Sequence, residues 1–387
     1  MAVSKPYDVV IVGAGPAGSS AAIRLAQAGR KVLVLEQKTF PRQKLCGEFV
    51  SPECIEHFHE LGVTLEVDLA LPTSVAETTF YSRSGRPLRI QNTWLGAAEG
   101  NAIGLSRSRL DELLLARART SGAEVREETS GIPHFADGKL KAIKVRGADG
   151  PGETIQSDIV IDATGRSRYL SRAIASNGTA GRAEYVAFKA HLTGAQIEEN
   201  TCELYVYPDG YGGCVQVEND RYNLCFVLKA AQVKQLGSDP NRIWREAVLK
   251  NKRASQTLAS AAVTGEWLAV PITRLGIGDP SPAEGLLSVG DAASFIDPFT
   301  GSGIALAFES SRLAAAAILE NKSFEAIAAD YRRSYEATVR RRMRFSSYIR
   351  FAGKAGWLAD GVIWALGRNE RLRKFAAART RLNDAVE

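Results

Sequence analysis

Two short apolar runs separated by a glycine-rich break open the chain. Residues 8–12 and 31–35 are β-branched without polar alternation, which predicts strands buried on both faces. The strong helix formers at 19–28 lie between them, and Gly29 stops that helix. Residues 158–162 and 285–289 are further buried strands, the second leading to an alanine-rich helix that runs to about residue 319. Elsewhere the pattern shortens. Runs at 78–81 and 87–91 flank Ser84-Gly85 as a hairpin, and 185–192, 203–207, 214–218 and 222–228 form antiparallel strands with turns at Pro208-Asp209-Gly210 and Asn219-Asp220. Strands are also expected at 103–105, 132–135 and 139–145, around the turn Asp137-Gly138. Ser51, Pro52 and Glu53 announce a helix that Gly62 ends, and Ser106 caps a helix from Arg107 to about Thr120 with Leu110, Leu113 and Leu114 inward. The last quarter reads as helix throughout.

The break is Gly13-Ala14-Gly15-Pro16-Ala17-Gly18, in the strand–turn–helix context that a dinucleotide fingerprint requires. Gly13 suits the tight turn, Gly15 lets backbone approach a pyrophosphate, and Gly18 allows close helix–strand packing. Glu36, eighteen residues beyond Gly18, ends the second strand where a carboxylate accepts from ribose hydroxyls. These features predict a Rossmann-type domain. Residues 163–167, Ala-Thr-Gly-Arg-Ser, form a second loop suited to phosphate or ribose. Downstream of Glu36, six residues hold Arg42, Lys44, Cys46 and Gly47; composition alone makes this a surface connection with an inert thiol. Arg107 is expected at the exposed start of its helix, where a cation opposes the dipole unless it meets an anion.

Charge adds one regional feature. The chain has 387 residues and a net charge of +6, yet residues 340–387 hold twelve Lys/Arg against four Asp/Glu, leaving the remainder at −2. No nucleic-acid motif accompanies this tail, so nucleic acid is not an expected partner. Its charges interleave with Phe345, Tyr348, Phe351, Trp357, Leu358, Ile363, Trp364 and Leu366. A basic amphipathic helix pair suits either packing on the body or peripheral contact with an anionic membrane. Five scattered cysteines without a CxxC pair argue against a metal site or a disulfide frame. With no spanning stretch and a first strand starting by Tyr7, the cytoplasm is the expected compartment.

Taken together, the glycine fingerprint with Glu36, the Arg107-x-x-Leu110-Asp111 helix start, the ATG ending at Gly165 and the run GDAASFIDPFTGSGI resemble the FAD-dependent superfamily of p-hydroxybenzoate hydroxylase. Geranylgeranyl reductases and flavin halogenases belong to the same superfamily. The resemblance implies an α/β, overall α+β, fold in three parts. Residues 1–74, 100–180 and 275–325 would bind FAD, 75–99 with 181–274 would form an inserted antiparallel substrate domain, and 326–387 a helical basic region. It implies that Gly13, Ala14, Gly15, Pro16, Ala17 and Gly18 hold the pyrophosphate, Glu36 the adenosine ribose, and Arg107 the diphosphate. Asp291 would bind the ribityl chain, with Gly165 nearby. Amides of Gly301, Ser302, Gly303 and Ile304 would face the flavin pyrimidine edge.

The segment PRQKLCGEFVSPE resembles the reductases and their hydroxylase relatives, in which it lies beside the flavin; this places Arg42, Lys44, Cys46 and Gly47 at the cofactor and makes Cys46 a candidate catalytic residue. The halogenase Trp-x-Trp-x-Ile-Pro run is lacking around Trp267. Thr164 stands where hydroxylases carry aspartate, and Tyr205-Val206-Tyr207-Pro208 matches the tunnel-lining run of the reductases in part. The resemblance therefore implies an FAD oxidoreductase reduced by diffusing NAD(P)H and acting on a hydrophobic or lipid substrate. A monooxygenase that hydroxylates or epoxidises stands slightly ahead of a geranylgeranyl-reductase-like enzyme acting on prenyl or quinone double bonds. A membrane-docking flavoprotein with structural FAD stands behind both. Deleting residues 356–387 is expected to weaken sedimentation with anionic vesicles, and raised salt should do the same by screening.

Overall fold

The computed structural model describes residues 6–95, 100–147, 152–174, 183–273, 276–295, 301–354 and 366–378. Five parallel strands form the first sheet, in the order Leu286–Ser288, Ile159–Asp162, Val9–Val12, Val32–Leu35, Glu124–Arg126. Alternation divides its central strand between two cores. Val9 and Ile11 face the helices Pro16–Gln27, Arg107–Thr120 and Gly303–Glu320, whereas Val10 and Val12 face Leu140, Ile143 and Val145 of a small antiparallel sheet. Covering both faces explains why these strands lack polar alternation.

The second sheet has seven strands, in the order Ala262–Ile272, Tyr185–Thr193, Arg221–Lys229, Gly210–Val217, Thr201–Tyr207, Glu77–Tyr81, Pro87–Gln91. All neighbours are antiparallel except Thr201–Tyr207 and Glu77–Tyr81, which run parallel. Its back face, with Phe188, Tyr205, Leu224 and Phe226, packs on Ile243, Trp244, Val248 and Ala254. Those residues belong to a helical cover that includes Pro240–Ala247 and Lys252–Thr257, which the sequence pattern does not predict. Each piece is too short to show a full apolar period, so its signal lies in its caps. Asp239 accepts from the Asn241 amide at 2.9 Å, and Asn251 accepts from Arg253 at 2.9 Å while donating to three carbonyls, including those of Ser82 and Val206.

Several boundaries move. The first helix starts at Pro16, not near Ser19, which places Gly18 in its first turn. Pro52, not Ser51, precedes the helix Glu53–Leu61; the Ser51 hydroxyl turns to Glu53 at 3.3 Å, and its carbonyl accepts the Cys54 amide. Ser106 does cap its helix, accepting from the Arg109 amide at 3.3 Å. In the tail, Phe324–Lys354 and Glu370–Ala378 are helical. Leu366 and Ala377 pack on Leu88 and Ile90 at the outer edge of the second sheet, so this part of the tail lies on the body. Phe345, Tyr348 and Phe351 lie where only the helix backbone is described, and Trp357, Leu358, Ile363 and Trp364 lie outside the described residues. No helix among the described residues is long and apolar enough to cross a membrane. Trp244 is 2% exposed at the centre of the back core, and Trp244→Ala is expected to cost about 3–5 kcal/mol in urea unfolding.

Candidate functional site

The glycine turn and the loop after Glu36 build one cradle. Gly13 has φ +104°, and a Cβ there would lie 2.4 Å from the Ala163 carbonyl oxygen; on Gly18 it would lie 1.9 Å from the Gly13 carbonyl oxygen. Neither position accepts a side chain. A Cβ on Gly15 would meet Arg107 Nη2 at 3.7 Å and Arg42 Nη2 at 3.9 Å, so two guanidinium groups flank the opening of the first helix, where Ala14 and Pro16 complete the turn and Ala17 is buried. Glu36 is buried; its Oε2 accepts from the Ala14 amide at 2.9 Å and its Oε1 from the Lys38 amide at 3.0 Å.

The expected exposure of Arg107 is corrected: it is 9% exposed and grips Asp111 through Nε at 2.7 Å and Nη2 at 2.8 Å. One helical turn separates the two, so the anion that offsets the dipole conflict comes from the same helix. Burial opposes the Arg107 charge, but Asp111 and contact with Cys46 outweigh it and raise its pKa. Burial and the repulsion of Arg42, Arg107 and Arg166 push the Lys44 ammonium down. Asp291 is pushed up by burial, against the pull of Arg166, Arg107, Lys44 and Arg168. Among the described residues, Arg42 Nε and Nη1 are buried without a hydrogen-bond partner, the Nη1 lying 3.4 Å from Asp111. Crowded cations, orphaned guanidinium nitrogens and a helix start whose glycine faces two guanidinium groups fit a diphosphate. An FAD held here would place that group against Gly13 to Gly18, Arg42, Lys44 and Arg107.

Gly165 closes the loop after Ile159–Asp162 with φ +69°. Thr164 donates to Asp162 Oδ1 at 2.6 Å, and Asp162 Oδ2 accepts the Ser171 hydroxyl at 2.9 Å, so this carboxylate fastens the loop internally. Gly301 has φ +61° and approaches the Phe49 ring, while Ser302 is buried directly before the helix that Gly303 and Ile304 begin. Residues 296–300 of that run lie outside the described residues.

Cys46 sits where the cradle meets the second sheet. Its sulfur accepts from the Glu48 amide at 3.4 Å, its carbonyl accepts from Asn223 Nδ2 at 3.0 Å, and Gly47 follows in open space. Glu48, which the sequence reading did not single out, is fully buried at φ +55°. Its Oε1 accepts the Arg107 amide at 2.8 Å and Lys189 Nζ, and its Oε2 lies 2.6 Å from His191 Nε2. Burial raises its pKa, but the His191 hydrogen bond and the Lys189 charge outweigh this and hold the carboxyl below the usual range. Lys189 also donates to Gln43 Oε1 and the Lys44 carbonyl, each at 3.2 Å. The available signal was Lys189 and His191 two residues apart in an apolar strand, which places both side chains on one face.

That face borders a cleft of about 470 Å³, whose lining includes Gln43, Lys189, His191, Arg221, Glu266 and Leu268. Tyr205 and Tyr207, the partial match to a tunnel run, point the other way: they are buried in the back core, with hydroxyls on Glu203 at 2.8 Å and on the Tyr211 carbonyl at 2.7 Å. Trp267 also packs there, against Phe226 and Trp244.

Comparison with known proteins agrees with this geometry. The family model described as "FAD binding domain" matches residues 6–344. The chain is 31% identical over 338 residues to Conditioned medium factor receptor 1 of Dictyostelium discoideum; the match covers 81% of this chain but spans only 63% of that relative. It is 26% identical to Digeranylgeranylglycerophospholipid reductase 2 of Methanopyrus kandleri, over 96% of this chain and 90% of that one. A solved flavin-dependent brominase, in triple-mutant form, superposes with a TM-score of 0.77 at 22% identity, covering 93% of this chain and 94% of that one, and so shares the fold.

Gly18→Ala is expected to abolish FAD retention, read as the ratio of flavin to protein absorbance after purification. A depressed Glu48 pKa adds stability that is complete above the unfolded glutamate value, about 4.3, and is lost as pH falls through the lower folded value. Glu48→Gln should therefore lose less thermal stability on acidification from about pH 5 to about pH 3. At neutral pH it should be the less stable protein by about 3–5 kcal/mol, because Lys189 is left buried and unpaired.

Proposed function

We propose that this chain, which belongs to the FAD binding domain family and is an FAD-dependent oxidoreductase, saturates carbon–carbon double bonds of a prenyl lipid. The observation that carries the reading is the wall between cradle and cleft. It presents Cys46, with its sulfur held by the Glu48 amide and in contact with Arg107, beside a cleft bordered by Lys189, His191 and Arg221. Saturating an alkene needs one hydride and one proton, so it calls for acid groups at the cleft. Oxygen transfer through a flavin hydroperoxide favours a dry, apolar pocket, whereas Lys189, Arg221 and Glu266 put charged side chains into this lining. Thr164 in place of the hydroxylase aspartate, with its hydroxyl committed to Asp162, supports the same choice.

FAD, when bound, supplies reversible hydride transfer, with diffusing NAD(P)H as the proposed reductant. The chain supplies the rest. Arg42, Lys44 and Arg107 would neutralise the diphosphate at the first helix, and the Gly303–Glu320 helix would offer its amide end to the ring. The second sheet closes over the 43–48 loop, and its cleft takes the substrate. Peripheral membrane contact through the basic tail would bring such a lipid to the cleft.

The test is anaerobic. Enzyme reduced with NAD(P)H and mixed with a geranylgeranyl lipid should regain its oxidised flavin spectrum and yield a product that has gained two hydrogens per double bond. Reoxidation by oxygen alone, with labelled oxygen entering an apolar substrate, would overturn the reading in favour of the monooxygenase.

A further inference from the structure

Lys189 and His191 extend from the same face of Tyr185–Thr193, and Glu48 lies between them. Neither side chain is part of the cofactor cradle. All three donors of Lys189 are spent, on Glu48, on Gln43 Oε1 at 3.2 Å and on the Lys44 carbonyl at 3.2 Å. Such an ammonium is a fixed charge and has no proton ready to give. His191 is different. Among the described residues its ring is bonded at Nε2 only, 2.6 Å from Glu48 Oε2, and it borders the cleft. An ionised carboxylate accepts and cannot donate, so it selects the Nε2–H tautomer and leaves Nδ1 to exchange a proton.

The neighbouring strand makes room for that exchange. Lys189 pairs with Leu268 and His191 with Thr264, so five residues, Thr264 to Leu268, run opposite three. Gly265, at φ +81°, lies in this bulge, and Thr264, Gly265 and Glu266 line the cleft directly across from the lysine and histidine. Bulges at such positions re-aim the chain and open space at a site.

We propose that His191 is the catalytic acid of the cleft, delivering from Nδ1 the proton that completes saturation of the substrate double bond, with Glu48 and Lys189 as its positioning residues. This role rests on the ene-reductase reading. One alkene carbon accepts the hydride with both its electrons, and the π pair moves to the neighbouring carbon. That carbon bonds the proton leaving Nδ1. The imidazole, neutral and still carrying its Nε2 hydrogen on Glu48, recovers a proton from water.

Two measurements decide it. The chain has four histidines, so nitrogen-15 ring spectra of histidine-labelled protein, assigned with His191→Gln, read the tautomer without turnover. The neutral His191 ring should carry its hydrogen on Nε2, and a neutral ring with its single hydrogen on Nδ1 overturns the proposal. Glutamine at 191 can still donate to Glu48 but cannot relay a proton. His191→Gln should slow alkene-driven reoxidation of the flavin about 100-fold, with flavin content and the rate of flavin reduction unchanged. His191→Ala should be slow in the same step and partly rescued by added imidazole. If the wild type turns over prenyl alkenes and His191→Gln keeps pace, the acid role falls while the ene-reductase reading stands. If no alkene reoxidises the wild-type flavin, that reading falls and the acid role falls with it.

Discussion

Glu48 is a carboxylate with no access to solvent, and its three partners come from two distant places in the chain. One is the amide that begins the Arg107–Thr120 helix, and the others are Lys189 and His191 of the second sheet. Removing a charge from water costs several kcal/mol unless it is fully bonded, about the amount that breaking such a pair costs. The loop that carries Glu48 can therefore take this path only when the two sheets meet in this arrangement. The backbone yields to the same demand: a non-glycine residue at φ +55° accepts a conformation that costs about 1–2 kcal/mol. Cys46, Gln43 and the Lys44 carbonyl are drawn to the junction because they share the loop.

A second electrostatic constraint acts on the other side of that loop. Arg42, Lys44, Arg107 and Arg166 crowd the opening of the first helix, so that the Lys44 ammonium is pushed down by burial and by its neighbours. Asp111 and Glu36 offset part of this charge, and Glu36 already accepts two amides. The remaining imbalance suits a diphosphate. Cradle and second sheet thus meet on one short segment, residues 42–48: Arg42 and Lys44 crowd the opening of the first helix, and Glu48 bonds to Lys189 and His191 of the second sheet.

The fold alone does not choose a reaction, since a brominase superposes on it and a lipid reductase matches it along nearly the full chain. The side chains that bear on the choice lie on the inner face of the second sheet: Lys189, His191 and the bulge opposite them. The tyrosines that a sequence comparison would assign to a substrate tunnel, Tyr205 and Tyr207, are instead core residues of the opposite face. Strand alternation accounts for this, because Glu203, Tyr205 and Tyr207 share one side of their strand and all three serve the back core or its hydrogen bonds.

The local pattern determined much. The β-branched runs, the glycine fingerprint ending in Glu36, the Ser106 cap and the antiparallel strands from Tyr185 onward are set by interactions within a few residues, and they were legible for that reason. So was the family, which rests on short motifs in a fixed order. The cover between Ala230 and Thr257 was not legible, because helices of six to eight residues are stabilised by the sheet they cover and not by their own periodicity. Arg107 read as exposed because its position in sequence says nothing of the loop that buries it. Glu48, Lys189 and His191 lie more than 140 residues apart across the contact, and each alone is an unremarkable polar residue. Only tertiary packing, which excludes water from all three at once, makes them one group, because the strength of a charge pair depends on its surroundings and the sequence does not state them.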